Sequence, residues 1–157
     1  MVDASWLKRA ELFESLEEPQ LNVILSHSTI ESCPDGKVIF RQGDEATHLY
    51  VLIDGGVDLT VKTQDQTDFM TSQIQKEGEV LGIPSLIEPF RYNVTAKCLM
   101  LTKVLRIEAG QLKKKMEEDP RMGMQIMKKL AFIYFTRLNE LRMGVSKFFK
   151  EFPSKKP

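Results

Sequence analysis

The sequence predicts an α+β fold that is mainly β: an antiparallel, jelly-roll-like β-roll flanked by N-terminal helices and a long C-terminal helix. Changes in hydrophobic periodicity along the chain support this prediction. Apolar residues recur at helical spacing over 4–28, alternate with polar residues over 29–107, and return to helical spacing over 108–150. Because 157 residues is the length of one domain, we take 1–157 as a single unit.

Two short helices are predicted near the N-terminus, at about 4–12 and 16–27. Ser15 is the predicted N-cap of the second helix, because acidic residues and Pro19 follow it in the first turn. The apolar residues of this helix fall on one face: Leu21, Ile24 and Leu25.

Short strands joined by turns are predicted for the middle of the chain. Two alternating runs, 49–53 and 57–61, flank the turn sequence Asp54-Gly55-Gly56. Because glycine accepts the positive φ angles of a tight turn, this arrangement predicts a β-hairpin. Short strands with turns between them and no helix of ten residues are typical of an antiparallel sandwich or roll. Further turn signals are Pro34-Asp35-Gly36, Gly43-Asp44, Gln64-Asp65-Gln66 and Glu77-Gly78.

Helical spacing returns with a short helix predicted over about 108–118. Asp119 then caps a long helix in which Pro120 takes the first helical position. Phe132 and Phe135 lie off the core-facing stripe predicted for this helix, so the helix is apolar on more than one face. The predicted stripe consists of Met127, Leu130, Tyr134, Leu138, Leu141 and Val145.

The additional apolar face predicts a homodimer through the helix at 120–145, because one small domain has little left to cover it. A helix that is well buried within its own chain is the alternative. The residues expected at or near the dimer interface are Met127, Leu130, Tyr134, Leu138 and Leu141.

The end of the chain continues the helical spacing of apolar residues, with Val145, Phe148, Phe149 and Phe152. We expect these side chains to pack on the β-roll or on a partner subunit. Flanking lysines leave two alternatives open: a segment that lies on a membrane surface, or a disordered end.

The amino-acid composition argues against several classes of function. With 22 basic and 22 acidic residues the net charge is zero, which argues against nucleic-acid phosphates as the main ligand. No apolar stretch is as long as a membrane span, which needs about 18 residues.

Cys33 and Cys98 form no CxxC pair, so we expect reduced thiols in a cytoplasmic protein. With only His27 and His48 as histidines and no Gly-x-Ser-x-Gly turn, we expect neither an enzyme nor a metal site.

Two strings in the strand region carry a resemblance to a known family. Gly36–Asp44 reads GKVIFRQGD, and Leu49–Val57 reads LYVLIDGGV. Together with Leu12–Leu16 they resemble the cyclic-nucleotide-binding domain family, which includes the sensor half of catabolite-activator-type transcription factors. The resemblance covers roughly 7–145 and implies a non-enzymatic regulatory module. The side chains expected to point into the roll are Phe40, Val51 and Ile53.

The resemblance also implies a ligand-binding cassette. Its first half matches Gly78-Glu79-Val80-Leu81-Gly82, where Glu79 would accept a hydrogen bond from a ribose 2′-hydroxyl. Backbone N–H groups at the start of the following short helix would hold a phosphate. From the residues alone, the same segment can also be a charged turn between strands. The candidate ligand-binding residues are Gly78, Glu79, Val80, Leu81, Arg91 and Tyr92.

The second half of the cassette departs from the family pattern of arginine, small residue and alanine. Counting back from Val94-x-Ala96 places Phe90 at the arginine position. Arg91 therefore either points away from the pocket or reaches it through a one-residue bulge. Tyr92 and Asn93 replace the small residues that give a nucleotide room.

Three outcomes remain open for the pocket: a cyclic nucleotide such as cAMP, another small anion or hydrophobic ligand, or no ligand. With a ligand, the chain is a stand-alone sensor that couples binding to its C-terminal helices. Without one, it is a degenerate, dimeric protein–protein interaction module.

The catabolite-activator-type regulators carry a helix-turn-helix domain after the long helix, for which this sequence has no residues, so no direct DNA binding is expected.

Overall fold

The computed structural model describes the backbone of residues 1–65 and 68–151. Two short helices, α1 (Ala4–Lys8) and α2 (Glu18–Ser26), precede the strands. Two longer ones, α3 (Ala109–Glu118) and α4 (Pro120–Glu151), follow them. The eight strands are β1 (Ser28–Cys33), β2 (Val38–Phe40), β3 (His48–Asp54), β4 (Val57–Lys62), β5 (Asp68–Ile74), β6 (Val80–Leu81), β7 (Thr95–Cys98) and β8 (Thr102–Glu108).

The strands form two four-stranded antiparallel sheets. The first sheet has the order β1-β8-β3-β6, and the second has the order β2-β7-β4-β5. A four-residue 3-10 helix at Ile83–Leu86 follows β6. The predicted fold, a mainly β roll with N-terminal helices and a long C-terminal helix, is confirmed.

The predicted hairpin between β3 and β4 is wrong, because the two strands lie in different sheets. β3 pairs with β8 and β6, whereas β4 pairs with β7 and β5. The turn at Gly55 carries the chain from one sheet to the other. Gly55 has a φ of 106° and approaches Thr102 so closely that an added Cβ atom would lie 2.6 Å from the Thr102 hydroxyl oxygen. Turn residues indicate a change of direction, but the packing of the sheets decides which strands pair.

Two hydrophobic cores lie on opposite faces of the first sheet. One fills the space between the two sheets, and the other lies between the first sheet and the helices. β3 contributes to both: Tyr50 and Leu52 belong to the inter-sheet core, and Leu49 and Val51 belong to the helix-side core. All four side chains are buried. The alternation in β3 therefore separates two cores and not a core from solvent.

This double burial corrects the expectation about which side chains point into the roll. Phe40 lies in the inter-sheet core, as predicted. Val51 and Ile53 do not, because they pack on the helix side of the same sheet. When both faces of a strand are apolar, the sequence cannot tell which face is the inner one.

The N-terminal helices are shorter than predicted. The cap of α2 is Glu17 and not Ser15: the Glu17 N–H donates to the Gln20 side chain at 2.9 Å, as in a capping box. Between the two helices the chain turns repeatedly, and its apolar residues Leu12, Phe13 and Leu16 are fully buried. Their burial in the helix-side core determines the path of this segment more than helix propensity does.

The predicted boundary between α3 and α4 at Asp119 is confirmed. A carboxylate oxygen of Asp119 accepts the Met122 N–H at 3.2 Å, and its other oxygen accepts from the Gln20 side chain at 3.1 Å. These hydrogen bonds lower the pKa of the Asp119 carboxyl. The cap thus joins the start of α4 to α2.

The core-facing stripe predicted for α4 is wrong in most of its positions. Of its residues Leu130 is buried, whereas Met127, Leu138 and Leu141 are 39%, 43% and 63% exposed. The helix is rotated so that the adjacent row of apolar residues faces the core. The buried row consists of Met122, Ile126, Leu130 and Ile133.

Cys33 and Cys98 are both buried in the inter-sheet core as free thiols. Burial raises the pKa of Cys33 to about 11 and raises that of Cys98 as well. Among the residues that the structure describes, no group of three potential ligands could hold a metal ion. None of the described helices combines the length and the apolar character that a membrane crossing requires.

Replacing Gly55 by alanine is expected to destabilise the fold more than replacing Gly36. Both glycines have positive φ, which costs an alanine about 1–2 kcal/mol. At Gly36 nothing lies within 4 Å of the added Cβ, whereas at Gly55 the clash with Thr102 adds about 1–3 kcal/mol of overpacking. Urea denaturation measures both losses, and equal losses would contradict the close approach at Gly55.

Both cysteines are expected to react slowly with iodoacetamide at mildly alkaline pH in the folded protein. Burial hides the sulfur atoms and disfavours the thiolate, which is the reactive form. In guanidinium chloride both should be alkylated rapidly, which provides the internal control. Rapid alkylation of the folded protein would show that the inter-sheet core opens.

Candidate functional site

A cavity of about 1000 Å³ lies between the β-roll and the C-terminal half of α4. The roll contributes side chains from both sheets and from the segment that follows β6. The helix contributes the opposite wall. Its lining is mainly apolar, and includes Phe40, Leu59, Val61, Ile74, Leu81, Ile83 and Val94 from the roll and Tyr134, Leu138, Leu141 and Val145 from α4.

The first half of the predicted cassette lies at this cavity. Glu79, Leu81 and Gly82 line it directly. Val80 is buried against the helix-side core and presents its backbone oxygen to α4. Gly78 does not line the cavity: with a φ of 89° it lies against the N-terminal segment and accepts a hydrogen bond from the Glu11 N–H at 3.2 Å.

The Glu79 carboxylate already has hydrogen-bond donors within the chain. One of its oxygens accepts the backbone N–H of Lys76 at 2.8 Å and that of Gln75 at 3.4 Å. The side chain therefore stabilises the turn before β6 while it lines the cavity. The two interpretations of this segment, a charged turn and part of a ligand-binding site, are therefore compatible.

Arg91 and Tyr92 lie outside the cavity lining. Arg91 is exposed, and its guanidinium donates to the Gly43 carbonyl at 3.2 Å. Tyr92 is buried: its hydroxyl donates to the His48 carbonyl at 2.8 Å and its ring stacks on Phe40 at 3.9 Å between centroids. Burial raises the pKa of Tyr92 to about 12, so the phenol stays protonated at neutral pH. Of the two possibilities for Arg91, the structure has the one in which it points away.

Phe90 does not reach the cavity either. Its φ of 58° is unusual for a residue with a side chain, and the Lys113 ammonium lies 3.7 Å from the centre of its ring. This contact joins the loop before β7 to α3. Positions 90 and 91 are the two candidates for the family's arginine, and neither side chain lines the cavity. Among the described residues of the β-roll, no guanidinium therefore reaches the cavity lining.

Two residues of the short helix after Gly82 have no free amide to offer a phosphate. Pro84 has no N–H, and the Ser85 N–H donates to the Gly82 carbonyl at 3.0 Å. A backbone site for a phosphate at this helix would therefore rest on its other residues.

The structure places at the cavity two charged residues of α4 that sequence reasoning missed: Arg137 and Glu140. Nη2 of Arg137 donates to the Val80 carbonyl at 3.0 Å and lies 3.4 Å from a carboxylate oxygen of Glu11. The same Glu11 oxygen accepts the Val80 N–H at 2.9 Å. Burial raises the pKa of the Glu11 carboxyl. These contacts join α4, β6 and the N-terminal segment at one point.

The signal for Arg137 appears only once the buried row of α4 is known, because Arg137 continues that row four residues after Ile133. A charged residue on the inner row of a helix requires a partner or a cavity. A second cavity of about 220 Å³, between α4 and the N-terminal segment, lies beside the first, and Glu79, Arg137 and Glu140 line both.

Comparison with known proteins identifies the family. Residues 30–119 match the model of the cyclic nucleotide-binding domain. A candidate potassium channel protein of Rhodopseudomonas palustris is 21% identical over 126 residues, which is 80% of this chain and 30% of that protein. The chain thus spans less than a third of the length of this curated relative.

Solved structures agree with the fold. A candidate cyclic nucleotide-binding protein from Geobacter metallireducens is 28% identical with a TM-score of 0.78, over 88% of this chain and 99% of that one. The sensor domain of the transcriptional regulator DNR from Pseudomonas aeruginosa is 22% identical with a TM-score of 0.72, over 87% of this chain and 91% of that one.

Proposed function

Because the chain belongs to the cyclic nucleotide-binding domain family, we propose that it is a regulatory module in which a ligand in the large cavity controls the position of the C-terminal helices. One observation carries the proposal: the roll forms one wall of the cavity and α4 forms the other. A ligand that fills the cavity touches both walls. It therefore stabilises one arrangement of the helix relative to the roll.

The contacts around the cavity supply the coupling. Arg137 joins α4 to β6, and Lys113 joins α3 to the loop that contains Phe90. Both helices thus contact the stretch of chain from β6 to the loop before β7, and part of this stretch lines the cavity. A small shift of that stretch on ligand binding is transmitted to α3 and α4 together.

We propose a cyclic nucleotide or a similar small anion as the ligand. The volume of about 1000 Å³ is ample for a nucleotide, and the apolar lining suits the face of a purine. Glu79 lines the cavity, as a residue that accepts a hydrogen bond from a ribose hydroxyl must. Because no guanidinium of the roll reaches the cavity, we expect a cyclic nucleotide to bind more weakly than it would with such a partner.

A thermal-shift screen with cAMP, cGMP and cyclic dinucleotides tests the ligand. A ligand at 100 times its dissociation constant should stabilise the folded chain by about 2.7 kcal/mol, because only the folded state has the cavity. Adenosine 5′-monophosphate, which lacks the cyclic phosphodiester, is the control. If none of the cyclic compounds raises Tm, the ligand proposal fails and a ligand-free interaction module becomes the better description.

We further propose that the chain forms a homodimer through α4. An outward-facing row of apolar residues on this helix follows the alternating spacing of three and four residues that is typical of paired helices. Leu130 does not belong to it, because it is buried in its own chain. The row consists of Met124, Met127, Ala131, Leu138, Leu141 and Val145, and at its centre is Tyr134, which is partly buried against the helix-side core.

The proposed interface and the cavity share part of the helix. Leu138, Leu141 and Val145 line the cavity and are also 43%, 63% and 47% exposed. A second copy of α4 would cover the exposed part of these side chains. Ligand binding and dimer geometry would then act on the same residues. The side chains of Phe148 and Phe149, and all of Phe152, lie outside the described residues, so their expected packing stays a prediction.

Light scattering at micromolar concentration is expected to give twice the 18.0 kDa mass of one chain. Met127→Glu should shift the protein to the single-chain mass, because it places like charges in the middle of the apolar row. Asn139→Glu, an exposed position of the same helix off this row, is the matched control and should stay dimeric. A single-chain mass for the unmodified protein would contradict the proposal.

A further inference from the structure

We propose that Arg137 is the anion-binding group of the large cavity, and that the cavity takes an amphipathic organic anion: an apolar body with one acidic group at its end. This inference rests on the proposed function, because it assigns the ligand class of the same cavity. The guanidinium comes from α4 and not from the β-roll.

In the described part of the chain, the hydrogen bonds of Arg137 use one of its three guanidinium nitrogens. Both of its contacts, to the Val80 carbonyl and to Glu11, use Nη2. Within the described part of the chain, Nη1 and Nε make no hydrogen bond, although the side chain lines the large cavity. An arginine has five N–H donors in a planar fork, and two adjacent ones can hold a carboxylate, sulfonate or phosphate. Each two-donor edge of the guanidinium includes Nη2, so an anion held by two donors would pair Nη2 with Nη1 or Nε and replace the long Glu11 contact, while the Val80 contact stays.

An anion in this cavity depends on Arg137, because the other charged residues described along the cavity lining, Glu79 and Glu140, are acidic. Arg137 is the only lysine or arginine among the lining residues that the structure describes. The Glu11 oxygen lies 3.4 Å from Nη2, longer than the 2.7–2.9 Å of a typical charge-assisted hydrogen bond. Glu79 is engaged by two backbone N–H groups, and Glu140 is exposed to solvent. Glu11 is the nearest competitor for the guanidinium, so an anion in the cavity must take over part of its role.

The apolar lining defines the rest of the ligand. Side chains such as Leu59, Leu81, Val94 and Leu138 line the same cavity as Arg137. Such walls stabilise a ring system or an aliphatic chain by removing it from water. A small inorganic anion would leave most of the cavity unfilled. The class that matches both features is an organic anion whose charge lies at one end.

The test compares two fluorescent probes that share one apolar body. 8-Anilinonaphthalene-1-sulfonate carries a sulfonate, and N-phenyl-1-naphthylamine has the same rings without it. The unmodified chain is expected to bind the sulfonate more tightly than the neutral probe. Arg137→Gln should weaken sulfonate binding by about 10-fold or more, the loss expected for a charge-assisted hydrogen bond, and should leave the neutral probe unchanged.

Three further variants separate a binding role from a structural one. Arg137→Lys keeps the positive charge and should bind the sulfonate more tightly than Arg137→Gln does. This comparison remains informative if Arg137→Gln destabilises the helix. Glu11→Gln removes the competing carboxylate and should tighten sulfonate binding. Arg91→Gln removes an arginine outside the cavity and should change neither probe. Equal weakening of both probes by Arg137→Gln, or no weakening of the sulfonate, would overturn the inference.

Displacement by cAMP keeps this inference separate from the proposed function. If the sulfonate requires Arg137 but cAMP neither displaces it nor raises Tm, the assignment of Arg137 stands and the cyclic-nucleotide proposal fails. If cAMP raises Tm equally in the unmodified chain and in Arg137→Gln, the function stands and the assignment of Arg137 fails.

Discussion

The first sheet is apolar on both faces, and most of the architecture follows from the need to cover both of them. In β3, Tyr50 and Leu52 face the second sheet while Leu49 and Val51 face the helices. Each fully buried side chain of this size contributes about 1.5–3 kcal/mol relative to an exposed one. A sheet with one uncovered face would lose several such contributions. The N-terminal segment, α3 and the first half of α4 therefore have to pack on its outer face.

This requirement divides α4 into two parts. Its first half is held by the buried row that ends at Ile133 and by the cap at Asp119. The second half is separated from the β-roll by the large cavity. Arg137 lies at the junction, where it contacts β6 and the N-terminal segment. The packing of the first half fixes the direction of the second half. A ligand in the cavity would contact the second half directly.

The loop before β7 is built around different contacts from those that the family pattern implies. The Tyr92 hydroxyl contacts the backbone of His48, and the Tyr92 ring stacks on Phe40, which anchors the loop in the inter-sheet core. With Tyr92 held inside, its neighbour Arg91 faces outward to Gly43. A positive charge at the cavity therefore comes from α4. The helix that is proposed to respond to the ligand would then also hold it.

The sequence alone determined the fold class, the order of the elements and the Asp119 boundary. These features depend on local chemistry: on periodicity, on turn glycines such as Gly55, and on a capping carboxylate followed by Pro120. Only the tertiary structure decided which sheet each strand joins, which row of α4 is buried, and where Arg91, Tyr92 and Arg137 lie. Each of these depends on contacts between distant residues, such as Tyr92 with His48 or Arg137 with Glu11. When a strand or helix is apolar on two faces, its own pattern is consistent with either orientation, and only the packing partner selects one.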